Sequence, residues 1–116
     1  MSDSNCIFCK IVGGQIPATK VYEDDLSFAF RDINPQAPTH ILLIPKRHVV
    51  SLNEISEEDR SLMGHLLVVS AQIAKQEKIN DDGFRVIINS GADAGQSVFH
   101  IHLHVMGGRP MSWPPG

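Results

Sequence analysis

Apolar residues recur along the chain with two different spacings, and each spacing predicts a different kind of element. An apolar residue at every second position is typical of a half-buried strand, because successive strand side chains point to opposite faces. This spacing predicts strands over residues 20–23, 26–31, 40–44, 84–88 and 100–106. In the second of these strands, Leu26, Phe28 and Phe30 are expected to share one face of the sheet.

One longer segment has apolar residues three or four positions apart, which predicts a helix with a single apolar stripe. The stripe consists of Leu62, Leu66, Val69 and Ile73. Ser56 is the expected N-cap, and the helix is expected to end near Lys78. A shorter apolar segment, 6–12, precedes two glycines and predicts one or two further helical turns. Short strands interrupted by one long helix favour the α+β class, with a mostly antiparallel sheet and the helix on one face.

Composition limits the size and the partners of the protein. A chain of 116 residues with 42% hydrophobic residues has room for one domain, expected to span residues 1–116. The formal net charge of −3 provides no basic field, which argues against nucleic acid or an acidic membrane surface as the main partner. The first five residues lack a basic region followed by an apolar core, and no apolar run approaches the length of a membrane span. We therefore expect a soluble, cytoplasmic protein.

The strand predicted at 100–106 carries the clearest chemical signal. Its alternation places His100, His102 and His104 on one face and three aliphatic residues on the other. Imidazole acts near neutral pH as a nucleophile, a proton donor or acceptor, or a metal ligand. We expect the central histidine, His102, to attack phosphorus, with its other ring nitrogen held by a backbone carbonyl. The simpler alternative is a half-buried strand whose polar face is rich in histidine.

A second group of residues has the composition of a metal site. Cys6 and Cys9 form a Cys-x-x-Cys pair, and together with His48 and His100 they supply two thiolates and two imidazoles. That set is complete for a tetrahedral structural zinc ion, in which all four positions are filled by protein. The alternative is that Cys9 is a small packing residue on a helical turn, because buried free cysteine is common.

The complete pattern of three histidines alternating with apolar residues resembles the signature of the histidine triad superfamily. Further matches resemble its Hint branch, the histidine triad nucleotide-binding proteins. These matches are Ile16-Pro17, the segment 30–40, Gly95-Gln96-Ser97 and the closing Trp113-Pro114-Pro115-Gly116. The resemblance spans nearly the whole chain. It implies a five-stranded, mostly antiparallel sheet with one long and one short helix, and a sheet that continues across a twofold homodimer.

The resemblance also implies a nucleotide site. It makes His102 the residue that becomes nucleotidylated, and it identifies His40 as a fourth active-site histidine. His104, His40 and Ser97 are expected to bind phosphate oxygens or to protonate the leaving group. Asp32 is the implied ribose contact, as acidic residues are in other nucleotide-binding folds. The remaining expected nucleotide contacts are Phe8, Phe30, Ile33, Asn89 and Gln96.

These residues lead to one main functional hypothesis and several alternatives. The main hypothesis is a hydrolase of purine nucleoside phosphoramidates, such as adenosine 5′-phosphoramidate or AMP joined to an amine or lysine, acting through a nucleotidyl-histidine. Structural zinc is the expected cofactor, with no organic cofactor, and Trp113 is expected to contact the leaving group in the partner subunit's site. The alternatives are dinucleoside polyphosphate hydrolysis or nucleotidyl transfer, a non-catalytic nucleotide-binding interaction protein, and metal catalysis by the triad itself.

Overall fold

The computed structural model describes residues 3–116, so Met1 and Ser2 of the N-terminal stretch considered above lie outside it. The described chain forms two α-helices, α1 (Ile7–Val12) and α2 (Arg60–Gln76). Five strands complete the fold: β1 (Lys20–Glu23), β2 (Ser27–Arg31), β3 (Thr39–Pro45), β4 (Phe84–Ile88) and β5 (Leu103–Gly107). Between residues 3 and 116, neither helix combines the length and the apolar character needed to cross a membrane.

The five strands form one sheet in the order β1-β2-β3-β5-β4, and every neighbouring pair is antiparallel. This confirms the predicted α+β class. β3 and β5 lie side by side at the centre, with Leu42 opposite His104 and His40 opposite Met106. His40 and His104 are therefore diagonal neighbours on one face of the sheet, which is within reach for long side chains.

The sheet buries a different core on each face. α2 packs on one face through Leu66, Val69 and Ile73, which meet alternate residues of β3 and β5 such as Ile41 and Val105. The short helix α1 packs on the opposite face. The core on that side consists of Cys6, Phe8, Cys9, Ile11, Phe28, Phe30, Leu42 and Ile44. The histidines lie on the α1 face, so the predicted division between a packing face and a chemical face is confirmed.

The long helical segment starts after Ser56, as its sequence indicates, but its first turn is not α-helical. The N–H of Ser56 donates to the carboxylate of Asp59 at 2.9 Å, which ties the N-terminal turn together. The first turn, Glu57–Asp59, is a 3₁₀ turn, so the α-helix itself begins at Arg60. Lys78 follows the helix with a φ of 62° and ends it, as expected.

Three strands differ from their predicted boundaries. β3 is one residue longer at each end than predicted, and β5 ends at Gly107 rather than at residue 106. Leu26 lies outside β2 and is 48% exposed, because the Asp24 carboxylate accepts hydrogen bonds from the N–H groups of Leu26 and Ser27 and closes a turn there. The histidine strand begins at Leu103 rather than at residue 100. The N–H of Ile101 donates to the Val49 carbonyl at 2.6 Å, beyond the end of β3, so the preceding residues bend away from the sheet.

Candidate active site and metal centre

The histidine face opens into a cleft of about 370 Å³ between α1 and the ends of the central strands. His102 and His104 border the cleft. The rest of its wall is mostly apolar and includes Phe8, Ile11, Ile16, Phe30, Ile33, Leu42 and Val98, with Asp32 and Ser97 as polar members. A mostly apolar cleft with a few convergent polar groups is the usual form of a small-molecule site.

A chain of hydrogen bonds determines which nitrogen carries the proton in His40 and His104. The backbone N–H of Gln36 donates to Nδ1 of His40 at 2.9 Å, so a neutral His40 carries its proton on Nε2. That nitrogen lies 2.9 Å from Nδ1 of His104 and 3.4 Å from a carboxylate oxygen of Asp32. His104 therefore accepts through Nδ1, and its own proton lies on Nε2, where it is available as a donor.

His102 has the opposite arrangement. Its Nδ1–H donates to the backbone carbonyl of His100 at 2.7 Å, which confirms the predicted carbonyl partner. The unprotonated Nε2 is then the nucleophilic atom of a neutral ring. The edge of Phe8 packs against this imidazole, with ring centroids 5.1 Å apart and planes at 89°, and fixes its orientation.

Burial keeps these three imidazoles neutral. Burial, together with the nearby His102 and His40, lowers the pKa of His104 to about 4. Burial also lowers the pKa of His102 and of His40, and the charge of Asp32 opposes this effect only in part. A neutral His102 retains the lone pair that a nucleophile needs.

The residues expected to hold a nucleoside line the same cleft. Phe8 and Phe30 are each 5% exposed and meet edge to face at 5.5 Å, so they form a rigid apolar wall. Asp32 follows β2 directly, and Ile33 stands fully exposed at the rim. The apolar wall, the carboxylate and the histidines are in direct contact, with Phe8 against His102 and Asp32 3.4 Å from Nε2 of His40.

Cys6, Cys9, His48 and His100 come together behind the cleft, with their ligand atoms all within 4.8 Å of one another. Nδ1 of His100 lies 3.4 Å from the sulfur of Cys6 and 3.5 Å from that of Cys9. Nδ1 of His48 lies 3.4 Å from the Cys9 sulfur and 3.2 Å from Nδ1 of His100. Tetrahedral zinc with ordinary bond lengths places sulfur and nitrogen about 3.5 Å apart, and two nitrogens about 3.3 Å apart.

The surroundings of this cluster also suit a metal ion. Nε2–H of His100 donates to the Pro45 carbonyl at 2.8 Å, which leaves Nδ1 unprotonated and directed at the two sulfurs. Cys6 is the N-cap of α1 and accepts a hydrogen bond from the N–H of Cys9, so the helix start holds both thiols in place. The four residues therefore fit structural zinc in both donor chemistry and spacing.

A second potential set of ligands, Asp32, His40 and His104, is equally compact but fits a metal poorly. A metal on Nε2 of His40 requires the proton to move to Nδ1, where it would face the N–H of Gln36. The triad does not converge on one point either, since Nδ1 of His100 faces sulfur and Nδ1 of His102 faces a carbonyl. The geometry therefore argues against metal catalysis by the triad.

Besides His40, which reaches the cleft only through its hydrogen bond to His104, three residues predicted for the active site lie away from this cleft. The Gln96 side chain is buried and bonded to backbone groups of its own loop and of Val50. Asn89 borders a different cavity, of about 600 Å³, which it shares with Trp113. Trp113 itself is 82% exposed on the surface. The cleft walls do not include these three residues.

The sequence did not predict some of the residues that line the cleft, or the backbone groups that fix the protonated nitrogen of each histidine. Leu42 and Ile11 line the wall but were not among the predicted contacts. The alternation of β3 already places Leu42 on the same face as His40, so that signal was available. The Gln36 N–H and the His100 carbonyl are backbone groups, and no side-chain pattern reveals them.

Comparisons with known proteins agree on one family. The HIT domain model matches residues 13–111. The "14 kDa zinc-binding protein" of Zea mays is 52% identical over 118 residues, covering 100% of this chain and 91% of that protein. The "Purine nucleoside phosphoramidase" of Escherichia coli K12 is 50% identical over 105 residues, covering 90% of this chain and 88% of its own.

The solved structures give the same result. The crystal structure of a HIT family hydrolase from Legionella pneumophila superposes with a TM-score of 0.95 at 49% identity, covering 97% of this chain and 100% of that one. Its likeness extends across the sheet, both helices and the histidine segment, because nearly the whole of each chain is matched. The chain therefore belongs to the HIT family.

Proposed function

We propose that the protein hydrolyses purine nucleoside phosphoramidates through a nucleotidyl group on His102. The observation that carries the proposal is the tautomer of this residue, whose Nδ1–H is bonded to the His100 carbonyl while Nε2 keeps its lone pair. The phosphoramidase name of the E. coli relative, at 50% identity, supports the same reaction for this chain. His102 lines the same cleft as the apolar wall, which fits attack on the phosphorus of a nucleotide bound there.

The proposed reaction has two steps. In the first, Nε2 of His102 attacks phosphorus while the Nε2–H of His104 donates a hydrogen bond to a phosphate oxygen; the phosphorus–nitrogen bond breaks, and the amine leaves with a proton taken from water. In the second, water attacks the same phosphorus and releases a proton to the solvent, and the bond to His102 breaks to release AMP. His40 keeps His104 in the required tautomer through the 2.9 Å hydrogen bond between them.

The nucleoside is proposed to bind in the same cleft as the histidines. Phe8, Phe30 and Ile33 provide apolar surface for a purine, and the Asp32 carboxylate accepts hydrogen bonds from ribose hydroxyls. Ser97 offers a hydroxyl and an N–H to phosphate oxygens beside the histidines. Asn89 borders a separate cavity, so its contact with a nucleotide stays a prediction.

We also propose that Cys6, Cys9, His48 and His100 hold a structural zinc ion, which the name of the maize relative supports. When bound, zinc supplies folding free energy to the N-terminal segment and takes no part in the reaction, because all four positions are filled by protein. His100 belongs to both sites, since its ring faces the thiols and its carbonyl orients His102.

A twofold homodimer is proposed as the functional unit. α2 exposes Leu67 and Val68 at 54% and 57%, and β4 is an edge strand of the sheet. An apolar helix face beside a free strand edge is suited to pairing with its own copy across a twofold axis. Sedimentation of the wild type as a monomer at micromolar concentration would contradict this arrangement.

Turnover of a fluorogenic adenosine phosphoramidate tests the proposed reaction. The wild type is expected to release the amine, and His102→Ala is expected to lose most turnover. Binding of AMP should persist in the variant, because the proposed base and ribose contacts are made by other residues of the cleft. Undiminished turnover by His102→Ala would exclude the covalent mechanism.

A further inference from the structure

We propose that Gln96 is a positioning residue, whose buried side chain holds the loop that presents Ser97 to the cleft without touching the nucleotide. The resemblance to nucleotide-binding proteins predicted a ligand contact for Gln96, so this assigns it a different role. The proposal depends on the proposed phosphoramidate hydrolysis only for its kinetic readout.

The oxygen and both N–H groups of the Gln96 side-chain amide are hydrogen-bonded to backbone groups. Its Nε2 donates to the carbonyl of Val50 at 2.6 Å and to that of Val98 at 3.1 Å. Its Oε1 accepts from the N–H of Gly91 at 2.8 Å. Two acceptors and one donor permit a single orientation of the amide. The residue is 5% exposed, so water does not replace these bonds when they are lost.

These bonds close the loop that precedes the cleft wall. The backbone N–H of Gln96 donates to the Gly91 carbonyl at 3.1 Å, so residues 91 and 96 are joined through both main chain and side chain. Ser97 and Val98, which follow immediately, line the cleft beside His102. The position of the Ser97 hydroxyl and N–H therefore depends on how firmly Gln96 closes the loop.

Gln96 also ties this loop to the segment that supports the nucleophile. The carbonyls of Val49 and Val50 are consecutive, and each has a different partner. Val49 accepts from the N–H of Ile101, next to His102, while Val50 accepts from Gln96. One short stretch of backbone thus sets the spacing between Ser97 and His102, the two groups proposed to meet at the phosphate.

A direct contact with the nucleotide is inconsistent with these bonds. A hydrogen bond from the Gln96 amide to a ligand would leave a buried carbonyl or N–H without a partner. Loss of the amide is therefore expected to displace Ser97 rather than to remove a ligand contact. A displacement of about 1 Å at a reacting centre lowers rates by about 100-fold.

Three variants separate the two roles. Gln96→Met keeps the length of the side chain but removes all three bonds. Gln96→Glu keeps an acceptor for the N–H of Gly91, but its second carboxylate oxygen faces the carbonyls of Val50 and Val98 and is repelled by them. Asp93→Asn, at an exposed position in the same loop, is the matched control. For each variant, kcat and KM for a fluorogenic adenosine phosphoramidate and the Kd for adenosine, which has no phosphate, are measured.

A positioning role predicts a specific pattern. Gln96→Met should lower kcat by about 10- to 100-fold, and Gln96→Glu by more, while adenosine affinity stays within about twofold of the wild type. Asp93→Asn should match the wild type. Weaker adenosine binding with unchanged kcat would show that Gln96 contacts the nucleotide and would overturn the proposal.

Amide hydrogen exchange provides a readout that does not need turnover. In the Gln96→Met variant, the backbone amides of residues 91 and 96 should exchange faster than in the wild type. The amides of β5 should stay protected, which would show that the fold persists. Unchanged exchange in the loop would refute the positioning role. If the wild type fails to hydrolyse phosphoramidates, the proposed function fails, and exchange still decides the role of Gln96.

Discussion

The hydrogen bond from His40 to His104 makes a quantitative prediction. Replacing His40 with phenylalanine preserves a ring of similar size but removes the donor that fixes the tautomer of His104. His40 is 5% exposed, so water replaces the lost donor poorly. A buried hydrogen-bond partner left unsatisfied costs about 1–3 kcal/mol. Expressed as a rate, that corresponds to about 5- to 160-fold.

We expect the loss in kcat rather than in KM, because the Nε2–H of His104 is proposed to donate a hydrogen bond to the reacting phosphate while other residues bind the nucleoside. Steady-state kinetics with a fluorogenic adenosine phosphoramidate measures this loss. Nitrogen NMR of His104 reports the tautomer directly, and the wild type should show an unprotonated Nδ1 and a protonated Nε2.

The matched control is His65→Phe. His65 is also a partly buried histidine, bonded to Asp24 at 2.7 Å, but it lies on α2, away from the cleft. Its replacement should lower stability and leave kcat unchanged. Wild-type kcat in His40→Phe, or an unchanged tautomer of His104 in that variant, would refute the reasoning.

Four other predictions concern pH, zinc and the C-terminal tail. Because burial lowers the pKa of His102 and of His104, kcat/KM should stay high as pH falls through 6.5 and decrease only under more acidic conditions. As pH falls, these histidines become protonated in the unfolded chain at a higher pH than in the folded protein. The free energy of unfolding measured with urea should therefore decrease as pH falls below 6.5, and an increase would contradict the burial argument. Joint replacement of Cys6 and Cys9 by alanine should abolish stoichiometric zinc in elemental analysis and lower the Tm. If the wild type purified without chelator contains no zinc, the two cysteines are packing residues. Deleting residues 112–116 should change the ranking of substrates by leaving amine more than AMP affinity, and an unchanged ranking would make the tail structural only.

The sheet was predictable because its signal is local. β1 and β4 have the predicted boundaries, since alternation and adjacent turn residues fix them without distant partners. The start of β2 was misplaced although its signal is local, since the carboxylate of Asp24, two residues earlier, holds Leu26 outside the strand. The start of β5 was not predictable, because residue 101 is drawn from the strand by the carbonyl of Val49, which is distant in sequence.

The site shows the same division between local and distant signals. Alternation correctly placed His102 and His104 on the chemical face, and the composition of the second cluster correctly indicated residues that meet around His100. The role of the Gln96 side chain depends on backbone groups up to 46 residues away, which no motif specifies. Motifs therefore identified which residues gather near the site but not which of them face it.

The central claim is that His102 carries the nucleotide during the reaction. The most direct test is to mix the protein with a slow adenosine phosphoramidate, quench in denaturant at neutral to alkaline pH, and analyse the peptide containing residues 100–106 by mass spectrometry. The account predicts an added adenylyl group on His102, absent in His102→Ala. An adduct on a different residue would contradict this claim. Turnover of the slow substrate with no adduct on His102 would also contradict it.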